Sequence, residues 1–198
     1  MIGLSAKKVV HRDLALRNIM VSYGNERDRF VAKVGDMGLA LDTRKDEESN
    51  ETALPIKWAA PECYLNKEFS SASDVWSFGV VLFELFSYAE TPYKGMTNRQ
   101  VLEQVPQGLR LERPENCPER IYSLMCKCWE IGEKRCLCKC LFLEPAKRPS
   151  FIQIFEELEQ IEKESKTAAT FAPPVTKKGE TIDDEEVIYN DVEMQVYN

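Results

Sequence analysis

HRDLALRN, residues His11 to Asn18, places two arginines, a carboxylate and an amide within eight positions. Its surroundings indicate how the chain holds them. Met1 to Val10 reads as the end of a helix running into a loop at His11, with no capping signal before it. Downstream, Ile19-Met20-Val21 and Phe30-Val31-Ala32-Lys33-Val34 are short β-prone runs joined by the polar, Gly-containing stretch from Tyr23 to Arg29. That pattern predicts a β-hairpin. The hairpin would return the chain to Gly35-Asp36-Met37-Gly38.

Beyond this the pattern is helical. Ser71-Ala72-Ser73-Asp74 offers N-cap chemistry for an apolar helix from about Val75 to Ser87. Asn98 to Val105 and Pro118 to Trp129 predict further helices. Ser150 caps a last one, in which Phe151, Ile154, Phe155, Leu158 and Ile161 recur at helical spacing. The folded body, residues 1–163, is expected to end near Lys163. Residues 164–198 lack the apolar density that offsets ordering entropy, carry Pro173-Pro174 and an acidic run, and read as a disordered tail.

With 43% hydrophobic and 30% charged residues the chain is neither wholly disordered nor collagen-like. Its net charge of −7 argues against nucleic acid or an anionic membrane as the main partner. Seven cysteines, an odd number without disulfide-scaffold spacing, read as reduced thiols. The longest apolar run, Phe78 to Phe86, is broken by Glu84 and is far too short to span a bilayer. These features lead us to expect a cytoplasmic protein, or the cytoplasmic part of a membrane receptor.

HRDLALRN, then Gly35-Asp36-Met37-Gly38, then Ala60-Pro61-Glu62, in this order and at this spacing, resemble the catalytic loop, metal-binding loop and activation-segment anchor of a protein kinase. Ser73-Asp74-Val75-Trp76-Ser77-Phe78-Gly79, Cys128-Trp129 and Arg148-Pro149-Ser150-Phe151 reinforce the likeness. Read singly, Asp13, Asn18 and Asp36 would be turn residues and helix caps; the ordered set decides otherwise. The resemblance covers about Met1 to Lys163 and implies the C-terminal lobe of the kinase fold: mainly α, with a small β-hairpin at the active site. It also implies use of ATP and Mg2+. Asp13 would then accept the proton of the substrate hydroxyl, and Arg17 would steady substrate or phosphate. Asn18 and Asp36 would supply hard oxygen ligands for magnesium.

Other roles also follow from the resemblance. Glu62 would pair with Arg148, Asp74 would bond the backbone of the catalytic loop, and His11 and Met37 would pack into the core, Met37 standing where the family usually has Phe. Gly38 completes the metal-loop motif, and Arg12 is the basic residue that would meet an activation-segment phosphate. Ala15 stands where serine/threonine kinases commonly carry Lys, and the basic residue is Arg17, as in tyrosine kinases. Pro55-Ile56-Lys57-Trp58 looks like the platform for a tyrosine side chain, with Pro55, Lys57 and Trp58 its defining members. Protein substrates with tyrosine are the implied partners.

Three departures accompany the likeness. His11 is only the eleventh residue and the chain contains no Gly-rich phosphate loop, so the N-terminal lobe is absent from it and autonomous activity is not expected. The stretch from Leu39 to Leu54 contains no tyrosine; Asp46-Glu47-Glu48 either stand in for phosphate by pairing with Arg12 or Arg44, or form a solvated acidic loop. Gly132 to Leu143, GEKRCLCKCLFL, interrupts a family-like CWEIEPAKRPSF. It reads as a splicing or gene-model insertion in preference to a surface loop or a Cys-based metal site.

In the tail, Tyr189 follows Asp183-Asp184-Glu185-Glu186-Val187-Ile188. It is a candidate phosphosite for phosphotyrosine-reading modules; the plainer alternative is a solubilising acidic tail. A catalytically inactive binding or scaffold module is the rival to an enzyme.

Overall fold

The computed structural model describes residues 1–23, 30–44, 54–131 and 144–171, with side chains described as far as Lys166. Six α-helices, two small antiparallel sheets and three 3-10 turns are present among them.

Helix α1 (Ile2–Ala6) is followed by strand β1 (Val9–Val10). The sequence reading made all of Met1 to Val10 helix and loop, and this is corrected: Lys8 turns the chain at φ +59°, and the β-branched pair Val9-Val10 aligns with β4 (Leu41–Asp42), Val9 opposite Asp42 and Val10 opposite Leu41. Partners 31 and 33 positions away cannot be read from a local pattern. The expected hairpin is present as β2 (Ile19–Tyr23) and β3 (Phe30–Val34), in register from Ile19 opposite Val34 to Tyr23 opposite Phe30.

The core is organised by α3 (Ser71–Phe86), which is buried on nearly all sides, with Val75, Trp76, Val80 and Val81 at most 1% exposed. A helix apolar all round belongs in the centre of a domain. Its N-cap is Ser70 rather than a residue of the Ser71–Asp74 stretch: Ser70 Oγ accepts the Ala72 N–H, and Ser73 Oγ accepts the Ser70 N–H. This capping box starts the helix one turn earlier than expected and releases Asp74 for a different task.

Helix α5 (Glu119–Cys128) packs across α3 at Gly79, where a Cβ would lie 2.6 Å from Trp129 Nε1 and 2.8 Å from the Cys128 Cβ. The remaining helices are α2 (Pro61–Leu65), α4 (Asn98–Gln104) and α6 (Phe151–Phe171). Thr97 and Gln100 box the start of α4, and Ser150 and Gln153 do the same for α6. The last helix runs past the expected end at Lys163. Among its described side chains Ile161 is the last packed on the core, and i,i+4 pairs such as Gln160 with Glu164 and Lys166 with Glu162 carry the helix past it.

Candidate active site

The loop from His11 to Asn18 joins β1 to β2, and several of its backbone N–H groups have defined acceptors. Asp74, 1% exposed, reaches out of α3 to accept the N–H groups of His11 (2.8 Å) and Arg12 (3.1 Å). These two bonds hold Arg12 at φ +68°. Burial pushes the Asp74 carboxyl up to about 6, against the opposing pull of the two backbone N–H groups.

His11 is fully buried and ties two loops together. A carbonyl can only accept, so His11 Nε2–H donates to the Gly35 carbonyl at 2.9 Å while Nδ1 accepts the Asp13 N–H at 3.3 Å. The Gly35 N–H in turn donates to the Asn18 carbonyl at 2.8 Å, extending the β2–β3 ladder by one step. Asn18, 9% exposed, spends its amide N–H groups on Asp13, on the backbone carbonyl at 2.7 Å and on Oδ2 at 2.9 Å. Among the described residues its own side-chain oxygen receives no donor. Asp13, with its side chain 15% exposed, meets Arg17 through Oδ1. The structure thus brings Asp13, Arg17 and Asn18 together on one side of the hairpin.

Asp36 begins the next loop in the left-handed conformation, φ +54° and ψ 72°, and its Oδ1 accepts the Gly38 N–H at 3.3 Å. A Cβ on Gly38 would sit 3.2 Å from that oxygen, so glycine gives the carboxylate room to turn. The backbone bond between Gly35 and Asn18 places Asp36 beside Asn18, although 18 positions separate them. Met37 is corrected: it is 42% exposed in the 3-10 turn Met37–Leu39, not packed in the core. Asp36 turns the chain in the left-handed conformation just before it, and the described residues cover only part of the methionine.

Arg12 donates from Nε to the Leu39 carbonyl at 2.5 Å and stands 5.1 Å over the Phe69 ring. Arg44 pairs with Asp42 at 2.8 Å. Asp46, Glu47 and Glu48, offered as partners for these arginines, lie outside the described residues, as do Gly132 to Leu143 and Tyr189.

Pro55 opens a turn whose carbonyl accepts the N–H groups of Trp58 (2.9 Å) and Ala59 (3.1 Å). Lys57 Nζ donates to the Tyr93 carbonyl at 3.3 Å. Trp58 turns toward the His11–Asn18 loop, with the Arg17 guanidinium 4.7 Å over its ring. Glu62, on α2, receives a two-point contact from Arg148 at 2.6 and 3.0 Å, and both side chains are at most 1% exposed. One further residue at the site escaped the sequence reading. Glu84 Oε2 accepts the Leu16 N–H at 2.9 Å and the Trp58 Nε1–H at 3.0 Å. The signal was a lone acid in the apolar run Phe78 to Phe86.

Residues suited to a divalent cation are few. Among the described residues no group of three His, Cys, Asp or Glu converges, so a cation here would rest on the Asp36 carboxylate and the Asn18 amide oxygen. Two hard oxygens with the remaining positions filled by phosphate and water is a donor set that suits magnesium, which keeps several waters.

Residues 1–158 match the family described as protein tyrosine and serine/threonine kinase. The chain is 48% identical over 155 residues to megakaryocyte-associated tyrosine-protein kinase of Mus musculus, covering 78% of this chain and 27% of that protein. It is 42% identical over 160 residues to tyrosine-protein kinase Srms of Homo sapiens, covering 80% and 29%. With the insulin receptor of Xenopus laevis it shares 38% identity over 193 residues, covering 96% and 13%. The chain therefore spans under a third of the length of these relatives. Matched over most of its length by the family description and by tyrosine-protein kinases at 42–48% identity, the chain belongs to the protein kinase family, with tyrosine kinases as its relatives.

Proposed function

We propose that this chain is the helical C-terminal lobe of a protein-tyrosine kinase that transfers the terminal phosphoryl group of ATP to tyrosine side chains of proteins, with Mg2+. The observation that carries the reading is the convergence of Asp13, Asn18 and Asp36. His11 bridges the Asp13 and Gly35 backbones, and the Gly35–Asn18 bond closes the ring. Phosphoryl transfer asks a protein for positioning and charge neutralisation more than for covalent chemistry, and this is a positioning framework.

Asp13 accepts the proton of the tyrosine hydroxyl. Its two oxygens are aimed by Arg17 and by Asn18, and each carboxylate oxygen has a second lone pair left for that proton. Asn18 and Asp36 would hold a magnesium ion, which would neutralise charge on the phosphates of ATP, the phosphoryl donor. Asn18 would do so with the oxygen that its Asp13 bonds leave free. Arg17, stacked on Trp58, joins the proton acceptor to the platform of Pro55, Lys57 and Trp58 on which a tyrosine-containing segment lies. Gly38, Asp74 and the Glu62–Arg148 pair support this framework from behind, and Arg12 holds the loop start to Leu39. No helix among the described residues is long and apolar enough to cross a membrane. The reading puts the protein in the cytoplasm or on the cytoplasmic face of a receptor, with Tyr189 a docking site for phosphotyrosine-reading modules.

Phosphate transfer from ATP to a poly-Glu/Tyr substrate, measured with magnesium in the native full-length protein, tests the reading. Asp13→Asn is expected to lower the rate at least about a hundredfold. Unchanged transfer in that variant would overturn the assignment. The 198 residues alone, which contain no Gly-rich phosphate cover, are expected to transfer negligibly.

A further inference from the structure

A cleft of about 700 Å³ opens between the C-terminal end of α3, the segment from Ser87 to Met96 and the loop from Leu109 to Asn116. That volume suits a small organic molecule. Much of its wall is apolar, with Phe83, Phe86, Met96 and Leu111 among the lining residues. Three cations line it, and two are already engaged: Lys94 pairs with Glu90 at 2.7 Å, and Arg113 meets Glu119. The third is Arg110.

Arg110 is partly buried and forms no salt bridge among the described residues. Its Nε donates to the Trp129 carbonyl at 3.0 Å, and its Nη1 donates to the Val105 and Leu109 carbonyls at 3.0 and 2.6 Å. Nη2 has no acceptor among the described residues. The guanidinium lies 4.8 Å over the Trp76 ring, and Arg148 lies 4.9 Å over the same ring. Burial lowers the proton affinity of Arg110, and the Arg148 charge adds to the effect. A nearby anion is what this group lacks.

Two tyrosines stand beside it. Tyr93, 7% exposed, lines the cleft, and its hydroxyl has no hydrogen-bond partner among the described residues. Burial pushes that hydroxyl up to about 12, against the opposing pull of Arg110, so it remains a neutral O–H donor. Tyr64, on α2, also has a buried hydroxyl without a partner among the described residues, and Tyr93 and Arg110 are both near enough to act on its acidity. Buried polar groups in folded proteins are nearly always paired, so three open donors in one place call for an acceptor.

The mouth of the cleft limits what that acceptor is. Glu112 and Glu115 line it and are exposed. They repel a phosphate or a run of acidic residues more strongly than a single carboxylate. We propose that the cleft binds a small monocarboxylic acid with an apolar, ring-bearing body: its carboxylate accepts from Arg110 Nη2 and the Tyr93 hydroxyl, whose oxygen in turn accepts from Tyr64, and its body lies against Phe86 and Leu111. The site is independent of the kinase reading. Neutralising Arg110 also eases the repulsion between the two arginines over Trp76, so occupancy stabilises the fold.

The test uses the native full-length protein with naphthylacetate as probe and naphthylacetamide, similar in shape but uncharged, as control. Calorimetric titration should show one site for naphthylacetate and binding at least about tenfold weaker for the amide. Naphthylacetate should also raise the thermal midpoint. Tyr93→Phe keeps the ring, removes the hydroxyl and should weaken naphthylacetate about tenfold. Arg110→Lys keeps a charge but loses the planar fork, and should weaken it about tenfold or more; Tyr93→Phe decides the matter if that variant does not fold. Without ligand, Tyr64→Phe should be no less stable than wild type, because the hydroxyl it removes has no partner. Asp13→Asn should bind naphthylacetate as wild type does. Equal binding of acid and amide, no binding of either, or unchanged binding of the acid in Tyr93→Phe or in a folded Arg110→Lys would overturn the proposal. So would loss of binding in Asp13→Asn, which would put the probe in the phosphoryl-transfer site, or a Tyr64→Phe protein less stable than wild type.

Discussion

Glu62 and Arg148, 86 positions apart, meet in the interior through two hydrogen bonds of 2.6 and 3.0 Å, joining α2 to the turn that precedes α6. Arg148 also donates to the Glu130 and Ala72 carbonyls, each at 2.9 Å, and lies 4.9 Å over the Trp76 ring. Neither side chain has access to water, so removing one partner strands the other's charge. Glu62→Ala or Arg148→Ala should lower stability by about 3–5 kcal/mol. Urea unfolding followed by tryptophan fluorescence measures this, and a loss below about 1 kcal/mol would contradict the account.

Asp74 sets an expectation for pH. Its carboxyl, raised by burial to about 6 from an ordinary value near 3.8, holds its proton more tightly folded than unfolded. The stability it contributes is fully present below about pH 3.8 and is lost as pH rises through about 6. Between those values the wild-type protein should lose stability relative to Asp74→Asn as pH rises. Unfolding free energies of the two proteins at pH 4, 5, 6 and 7 test the sign. A difference that does not change across the window would show that the two backbone bonds, and not desolvation, control this group.

Gly79 predicts the tightness of the α3–α5 contact. A methyl group there meets Trp129 and the Cys128 Cβ at under 3.0 Å, with helix backbone on both sides to resist it. Gly79→Ala would gain helix propensity at an exposed site, but here it should cost about 1–3 kcal/mol. A thermal midpoint equal to or above wild type would mean that the helices separate more readily than this packing implies.

The flanks of Gly132–Leu143 lie together: the Glu144 N–H donates to the Ile131 carbonyl at 3.2 Å. Residues 131 and 144 are therefore close enough to be joined with little movement of the body. Deleting 132–143 should change stability by no more than about 1–2 kcal/mol, the scale of closing a loop of that length. Comparison of urea midpoints checks it. A deletion protein that fails to fold would show that the segment belongs to the core.

Much of this protein was legible in the sequence because its information is local. HRDLALRN with Gly35-Asp36-Met37-Gly38 named the loops, and the runs Ile19–Val21 and Phe30–Val34 announced the hairpin that joins Asn18 to Asp36. N-cap chemistry and an apolar run located α3, and helical spacing of apolar residues located α6, since both signals are carried by the chain itself. What depended on partners distant in the chain was decided only by the tertiary structure. Val9-Val10 became a strand because Leu41-Asp42 lies beside it, and Met37 is left partly exposed after the left-handed turn at Asp36. Glu84 shows the difference most clearly. In sequence it is a flaw in an apolar helix. In the fold it is the acceptor that two donors, 68 and 26 positions away, reach together, and only the packed arrangement of three segments gives a buried carboxylate that purpose.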